Sequence, residues 1–197
     1  MENSCNWPGN DLLMQKYHDE EWGVPLHDDQ KLFEFLVLEG FQAGLSWATV
    51  LKKREAFRDA FRGFDPEQVA SMNNEDVHRL MMDPRIIRNK MKIEATIHNA
   101  GCFLKVRKEF GSFDKYIWGF VDYQPKVNGF TKLSELPAKT PLSDLISADM
   151  KKRDFKFVGS TIVYAHMQAT GMVNDHLVHC FRYSETHISQ FSDNHHG

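Results

Sequence analysis

A chain of 197 residues has room for one or two small domains with a real core, and its formal charge of −3 argues weakly against an overall polyanion binder while leaving a local basic face open. With 42% hydrophobic and 26% charged residues it is neither a disordered chain nor a membrane one: no apolar run approaches a bilayer span, and the N-terminus carries no secretory signal. Three widely separated cysteines, Cys5, Cys102 and Cys180, make no disulfide framework and point to a reducing cytoplasm.

In chain order, residues 1–27 read as irregular and rich in aromatic, Cys and His side chains (Cys5, Trp7, Tyr17, His18, Trp22), closed by Gly-Val-Pro at 23–25. A helix follows, with Asp28 or Asp29 as N-cap, Leu32, Phe33, Leu36 and Val37 at helical spacing, and Gly40 near its end. After the stretch LEGFQAGLSW (38–47), Ser46 caps a second helix whose Trp47, Val50, Leu51, Phe57 and Phe61 keep the period, with Arg54 the polar exception and Gly63 the stop. Asp65 and Pro66 open a short helix, and another starts near Asn74. DPRIIRNKMKI (83–93) leads into a long helix reaching about Phe110, with Ile93, Ile97, Ala100 and Leu104 on one face. Ser112 caps a short helix carrying Phe113, Ile117 and Trp118, and residues 121–139, with Pro125, Gly129 and Pro137, read as a long surface connection. Thr140 and Pro141 open a helix ending at 151–153, and the helix after Gly159 and Ser160 stops at Gly171. Asn174 caps a last turn or two bearing His176 and Cys180, and the polar tail from Ser184 reads as disordered. No segment alternates with period two, so the fold class is all-α.

Three features carry chemistry. Cys5 and His18 (C-x12-H) near the start and His176 and Cys180 (H-x3-C) near the end supply two thiolates and two imidazoles, the donors of a closed tetrahedral zinc site; His176 and Cys180 would share a helix face. The competing reading is a buried Cys among incidental histidines. DPRIIRNKMKI is either a helix-hairpin-helix offering backbone N–H groups and Arg85, Arg88, Lys90 and Lys92 to phosphate, or an ordinary turn with a solvated charged face. Glu39, set among Phe35, Leu36, Leu38 and Phe41, is either a surface acid at a frayed helix end or a carboxylate held in an apolar site. Trp7, Tyr17, Trp22 and Trp47 are either core residues or faces for a nucleobase.

Taken together, YHDEEWGVP (17–25), EGFQAGLSWATVLKKRE (39–55), the hairpin and FKFVGSTIVYAHMQATGMVNDH (155–176) resemble the 3-methyladenine DNA glycosylases of type I, the constitutive bacterial family, from Cys5 to about Tyr183. The resemblance implies an all-α helix-hairpin-helix glycosylase fold, with a structural zinc ion on Cys5, His18, His176 and Cys180 joining the chain ends. It puts the base-pocket acid on Glu39, the pocket aromatics on Tyr17, Trp22 and Trp47 with Trp7 nearby, and the duplex-inserting residue on Leu45 after Gly44. It puts the hairpin on 84–92, and this chain's own Arg85, Arg88 and Lys90 are expected to contact DNA there. One compact unit (1–183) is expected, with a helical core at 28–158, a zinc-linked lobe from 1–27 and 159–183, and a disordered tail at 184–197. The chain departs from the family at Arg85, where members usually have Gly; if the turn needs a positive φ there, Arg is strained. The Gly-Val-Asp that places a catalytic Asp in the wider superfamily is absent, as it is from the type I family.

A missing Asp is tolerable on chemical grounds. Methylation at N3 leaves adenine cationic, so its glycosidic bond is already weak and the base departs neutral. The reading is therefore a cytoplasmic, monomeric, monofunctional glycosylase. It would flip 3-methyladenine out of alkylated duplex DNA and release the free base without cutting the strand, having no Lys placed as a Schiff-base nucleophile. The alternatives are a non-catalytic damaged-DNA binding protein on the same fold and a small zinc hydrolase. Four protein ligands leave the hydrolase no position for a metal-bound water.

Overall fold

The computed structural model describes residues 4–188. Among them are eleven α-helices: α1 (Leu12–Glu20), α2 (Asp29–Gln42), α3 (Trp47–Leu51), α4 (Arg54–Ala60), α5 (Pro66–Ala70), α6 (Asn74–Met82), α7 (Lys90–Phe110), α8 (Phe113–Trp118), α9 (Pro141–Lys152), α10 (Ser160–Ala169) and α11 (Phe181–Ile188). The 21 residues of α7 span about 32 Å at the helical rise. The helix starts at Asn89, whose side chain accepts from Lys92 N, and stops at Gly111 in the left-handed region (φ 90°). Its buried stripe runs Ile93, Thr96, Ala100, Phe103 and Val106, slightly rotated from the face read in sequence: Ile97 and Leu104 are only half-buried. Phe103 stacks on Phe113 of α8 at 4.2 Å and meets Phe33 of α2 edge-on at 5.2 Å. Each such fully buried ring contributes about 1.5–3 kcal/mol. Helices α5, α6, α2 and α8 pack around α7, and α10 packs on α9 and α2.

The capping residues do most of the punctuation. Asp28, Ser46, Asp65, Ser112 and Thr140 accept hydrogen bonds from their helices' first-turn N–H groups as expected. Asp29 does something else: it accepts from Phe113 N (3.0 Å) and Asp114 N (2.8 Å), so the start of α2 also caps α8.

Several expectations need correcting. Residues 12–20 are helical, because Asp11 accepts from Leu13 N and Met14 N and so starts α1. The helix read from Trp47 to Phe61 is two, broken at Lys52–Lys53. The fold is mostly helical as expected, with one addition: β1 (Lys126–Val127) and β2 (Val173–Asn174) form a short parallel pair. That pairing holds Asn174 extended, and its Oδ1 accepts from His176 N (3.1 Å), so His176 and Cys180 lie in an irregular turn rather than on a helix. Helix α11 runs past Tyr183 to Ile188, with Arg182 and Glu185 paired at 2.7 Å one turn apart. The rest of the tail expected to be disordered, 189–197, lies outside the described residues.

The segment 121–139 is also more than a surface connection. Asp122 and Tyr123 sit at positive φ (53° and 58°), turning the chain into β1. Beyond it, Glu135 accepts from Thr131 N (2.7 Å) and Lys132 N (3.2 Å), folding a tight turn that lays Leu133 and Leu136 over a cavity.

Candidate base-binding site and metal centre

The cavity measures about 290 Å³ and lies between α1, the C-terminal end of α2, the start of α3 and α10. Trp7, Tyr17, Trp22 and Trp47 wall it, Leu133 and Leu136 close one side, and Ala165 and Gln168 come from α10. Tyr17 lies 5.2 Å from Trp47 at 48°, and Trp7 lies 5.2 Å from Trp22, edge to face. Glu39, one turn before the end of α2, lines the cavity with Gln42 and is only 4% exposed. The surface-acid reading of Glu39 therefore fails, and the aromatic cluster is both core and cavity wall.

Among the described residues, buried side-chain polar atoms left without a hydrogen-bond partner include Glu39 Oε2, Trp7 Nε1 and Trp47 Nε1, and all three residues line this cavity. Buried polar groups are almost always satisfied, so two N–H donors and one carboxylate oxygen left open around one space are the signature of a site for a polar ligand. Burial also pushes the Glu39 carboxyl from its usual 4.5 up to about 8. Tyr17 is raised for the same reason, with the Glu39 charge adding to it.

Residues not singled out by sequence hold this wall in place. Arg54 donates to Glu34 Oε1 (2.6 Å) and to both oxygens of Glu21 (2.8 Å), and its guanidinium lies 5.0 Å over the Phe35 ring. Phe35 in turn meets Tyr17 at 6.3 Å. Removing one partner of such a buried ion pair costs about 3–5 kcal/mol. The sequence signal was there: a lone arginine on an otherwise apolar helix face. Gln42, Gln168 and the two leucines had no comparable signal.

Past Gln42 the chain turns sharply. Ala43 (φ −48°, ψ 115°) and Gly44 (φ 81°) are the central residues of a type II turn closed by Leu45 N to Gln42 O at 2.6 Å. Gly44 supplies a conformation that an L side chain resists, and Leu45 is left 43% exposed at the tip.

The turn at 83–89 joins α6 to α7 as a helical hairpin with Ile86 buried beneath it. Arg85 is not among the residues at positive φ, so its substitution for glycine carries no backbone strain. Its guanidinium pairs with Asp83 (2.9 Å) and Asp59 (3.3 Å). Arg88 and Lys90 are exposed, Lys90 beside Glu94 at 3.7 Å. Lys92 departs from the expected phosphate-facing role: it is buried, with its ammonium on two main-chain carbonyls of α2 and its cap.

Cys5, His18, His176 and Cys180 come together from both ends of the chain, all buried, with their donor atoms within 4.8 Å of one another. Cys180 Sγ is 3.6 Å from both His18 Nε2 and His176 Nδ1, and Cys5 Sγ is 3.5 Å from His176 Nδ1. The outer nitrogens are already committed: His18 Nδ1 to Asp19 Oδ1 (2.7 Å) and His176 Nε2 to the Trp22 carbonyl (2.9 Å). Each outer N–H donates, so each inner nitrogen turns a lone pair toward the sulfurs, the arrangement of metal-binding histidines. Two sulfurs and two such nitrogens fit a closed four-coordinate ion. The cluster also braces the cavity, since the Trp22 ring lies 4.7 Å from His176. Gly23 (φ 76°) packs so close that a Cβ there would come within 3.0 Å of the His176 ring. A second donor group, His98, Cys102 and Asp154, has its outer two members at the surface: His98 Nε2 is 2.9 Å from Asp154 Oδ2, and Lys156 takes the other oxygen.

Comparison with known proteins shows the family. Residues 7–183 match the methyladenine glycosylase family, and the chain belongs to it. It is 53% identical to DNA-3-methyladenine glycosylase 1 of Escherichia coli K12 over 179 residues, 91% of this chain and 96% of that protein. A crystal structure of 3-methyladenine DNA glycosylase I superposes with a TM-score of 0.88 at 50% identity, covering 91% of this chain and 98% of the other. The Staphylococcus aureus enzyme, solved for the structural basis of 3-methyladenine recognition, superposes equally well (TM-score 0.88) at 38% identity over 91% and 96% of the two chains.

The raised Glu39 carboxyl has a consequence for stability. The unfolded chain gives up this proton near 4.5 and the folded one holds it to about 8. Stability therefore falls as pH rises between those values and levels off above them. Glu39→Gln removes that fall, so the melting temperature of the variant minus that of the wild type should increase from pH 5 to pH 8. A difference that stays constant across the range would contradict the burial of this carboxyl.

Proposed function

We propose that this chain hydrolyses the N-glycosidic bond of 3-methyladenine in alkylated double-stranded DNA, releasing the free base and leaving the strand uncut. The observation that carries the reading is the coincidence of an unpartnered buried carboxylate with aromatic faces in one cavity of base-like dimensions. Similarity to glycosylases named for this base, one of them solved for its recognition of 3-methyladenine, supplies the substrate.

A base stacked in a duplex cannot reach such a cavity, so the nucleotide is flipped, at a cost of a few kcal/mol of unstacking. Leu45 on its type II turn offsets part of that cost by filling the gap, with Arg85, Arg88 and Lys90 of the hairpin against the phosphates. Inside, Tyr17 and Trp47, with Trp22 and Trp7, hold the cationic purine, each favourable face contributing about 0.5–2 kcal/mol. Glu39 accepts hydrogen bonds from the exocyclic amine and ring edge. A normal purine is neutral and presents an acceptor at the ring edge, so it leaves the buried carboxyl incompletely compensated. The cationic lesion stabilises the ionised form of Glu39, which the empty cavity disfavours. Breaking the C1′–N9 bond returns its electron pair to the purine, which leaves neutral. Water adds its oxygen to C1′ and gives up a proton. Little acid catalysis is required, which suits a site without a second carboxylate against the base.

Cys5, His18, His176 and Cys180 would hold a zinc ion, which would crosslink the chain ends and take no part in the reaction. No helix of the described residues is long and apolar enough to cross a membrane. The three unpaired thiols suit a cytoplasmic setting, and a single copy contains the whole cavity, which suits a monomer acting on duplex.

Methylated duplex DNA incubated with the protein should release 3-methyladenine, identified by chromatography, with intact strands on a denaturing gel, and Glu39→Gln should lower the release about ten- to a hundredfold. Binding to the lesion without release would instead support a non-catalytic damage-binding protein. Elemental analysis should find zinc in the wild type, with Cys180→Ser lowering both zinc content and melting temperature; wild-type protein purified without zinc and stable to chelators would remove the metal from the account.

A further inference from the structure

Of the cations in the hairpin segment, Arg85, Arg88 and Lys90 are exposed, whereas Lys92 is 8% exposed. It stands in the first turn of α7, its own N–H donating to the capping Asn89 side chain at 3.1 Å. Its ammonium donates to the carbonyl oxygens of Phe41 (2.8 Å) and Ala43 (2.7 Å). These belong to the set of carbonyls that a helix end leaves without intrahelical partners. The carbonyl between them, on Gln42, accepts from Leu45 N. Three successive carbonyls at the end of α2 are therefore tied, alternately by the hairpin helix and by the turn that carries Leu45. The ammonium also offsets the partial negative charge at the α2 C-terminus. Burial lowers the Lys92 pKa, so the group is held at an energetic cost that a surface lysine would avoid.

We propose that Lys92 is a positioning residue that registers the Gly44–Leu45 turn against the hairpin, so that phosphate engagement and insertion of Leu45 into the duplex occur as one rigid event. The proposal rests on the glycosylase reading above. The tie joins two elements that must act together on duplex yet lie far apart in sequence: from the start of α7, directly after the hairpin at 83–89, Lys92 bonds to the segment at 41–43 across 49 and 51 residues. The base cavity does not depend on this bond directly, because neither Lys92 nor the hairpin lines it. Methionine at 92 keeps the length of the side chain and removes both bonds. A turn so freed would still fold, but it would no longer be aimed by the hairpin.

A double-mutant cycle tests this. Single-turnover release from methylated duplex is measured for wild type, Lys92→Met, Leu45→Ala and the double variant. Binding of free 3-methyladenine is followed by quenching of the cavity tryptophans. Leu45→Ala should slow release about tenfold or more in the wild-type background and less than about threefold in the Lys92→Met background, because a wedge that is no longer aimed has little left to lose. Lys92→Met alone should slow release from duplex while free-base affinity stays within about twofold, and Lys92→Arg should recover part of the rate. Equal Leu45→Ala penalties in both backgrounds, or a parallel loss of free-base affinity in Lys92→Met, would overturn the proposal, since either marks general destabilisation. Lys92→Gln, shorter and neutral, runs the same cycle if Lys92→Met does not fold. Wild-type protein that releases no base would overturn the glycosylase reading, and the coupling with it.

Discussion

The structure depends on one expensive feature: a carboxylate oxygen taken out of water at the end of a helix and given nothing to bond. Glu39 Oε2 has no partner, and its carboxyl is pushed up to about 8. An uncompensated polar group of this kind costs about 1–3 kcal/mol, more when charged, and persists only where its surroundings leave it no escape. Those surroundings are built from two directions. Arg54, Glu34 and Glu21 fix the wall behind Phe35 and Tyr17. The Cys/His cluster fixes Trp22 through its carbonyl and its ring.

This arrangement makes the two chain ends part of one machine. Cys5 and His18 meet His176 and Cys180 across more than 150 residues, so the N-terminal aromatics are held against the helical core through that junction. Trp7 and Trp22 are in contact with each other and with His18. Loosening the cluster would be felt first as a looser cavity wall, because its residues touch Trp22 without themselves lining the cavity.

Much of this was readable from residue order, and what was missed has physical causes. Caps such as Asp28, Ser46, Asp65 and Thr140 are local chemistry, and they marked helix starts correctly. The four clustered donors and the aromatics around Glu39 were also legible as residue types in suggestive places. Helix α1 was not, because its start depends on Asp11 while its aliphatic residues, Leu12, Leu13 and Met14, crowd its first turn without a helical period and the rest is mostly polar. The placement of His176 and Cys180 was misread for the opposite reason: their spacing of four suits a helix, but pairing of Val173–Asn174 with Lys126–Val127 imposes an extended entry. Lys92 looked like its solvated neighbours, since nothing local says that a carbonyl pair from 49 and 51 residues earlier will lie beneath it. Leu133 and Leu136, in a stretch punctuated by glycine and proline, gave no hint that they close a cavity.

The most direct measurement is the titration of the Glu39 side-chain carboxyl by carbon NMR, in the free protein and with methylated duplex bound to a catalytically slowed variant that retains Glu39. A midpoint near 8 in the free protein, falling when the cationic base enters, is what a buried and unpartnered carboxyl in an aromatic slot requires. A midpoint near 4.5 in the free protein, unmoved by the lesion, would place this group in water and contradict the account.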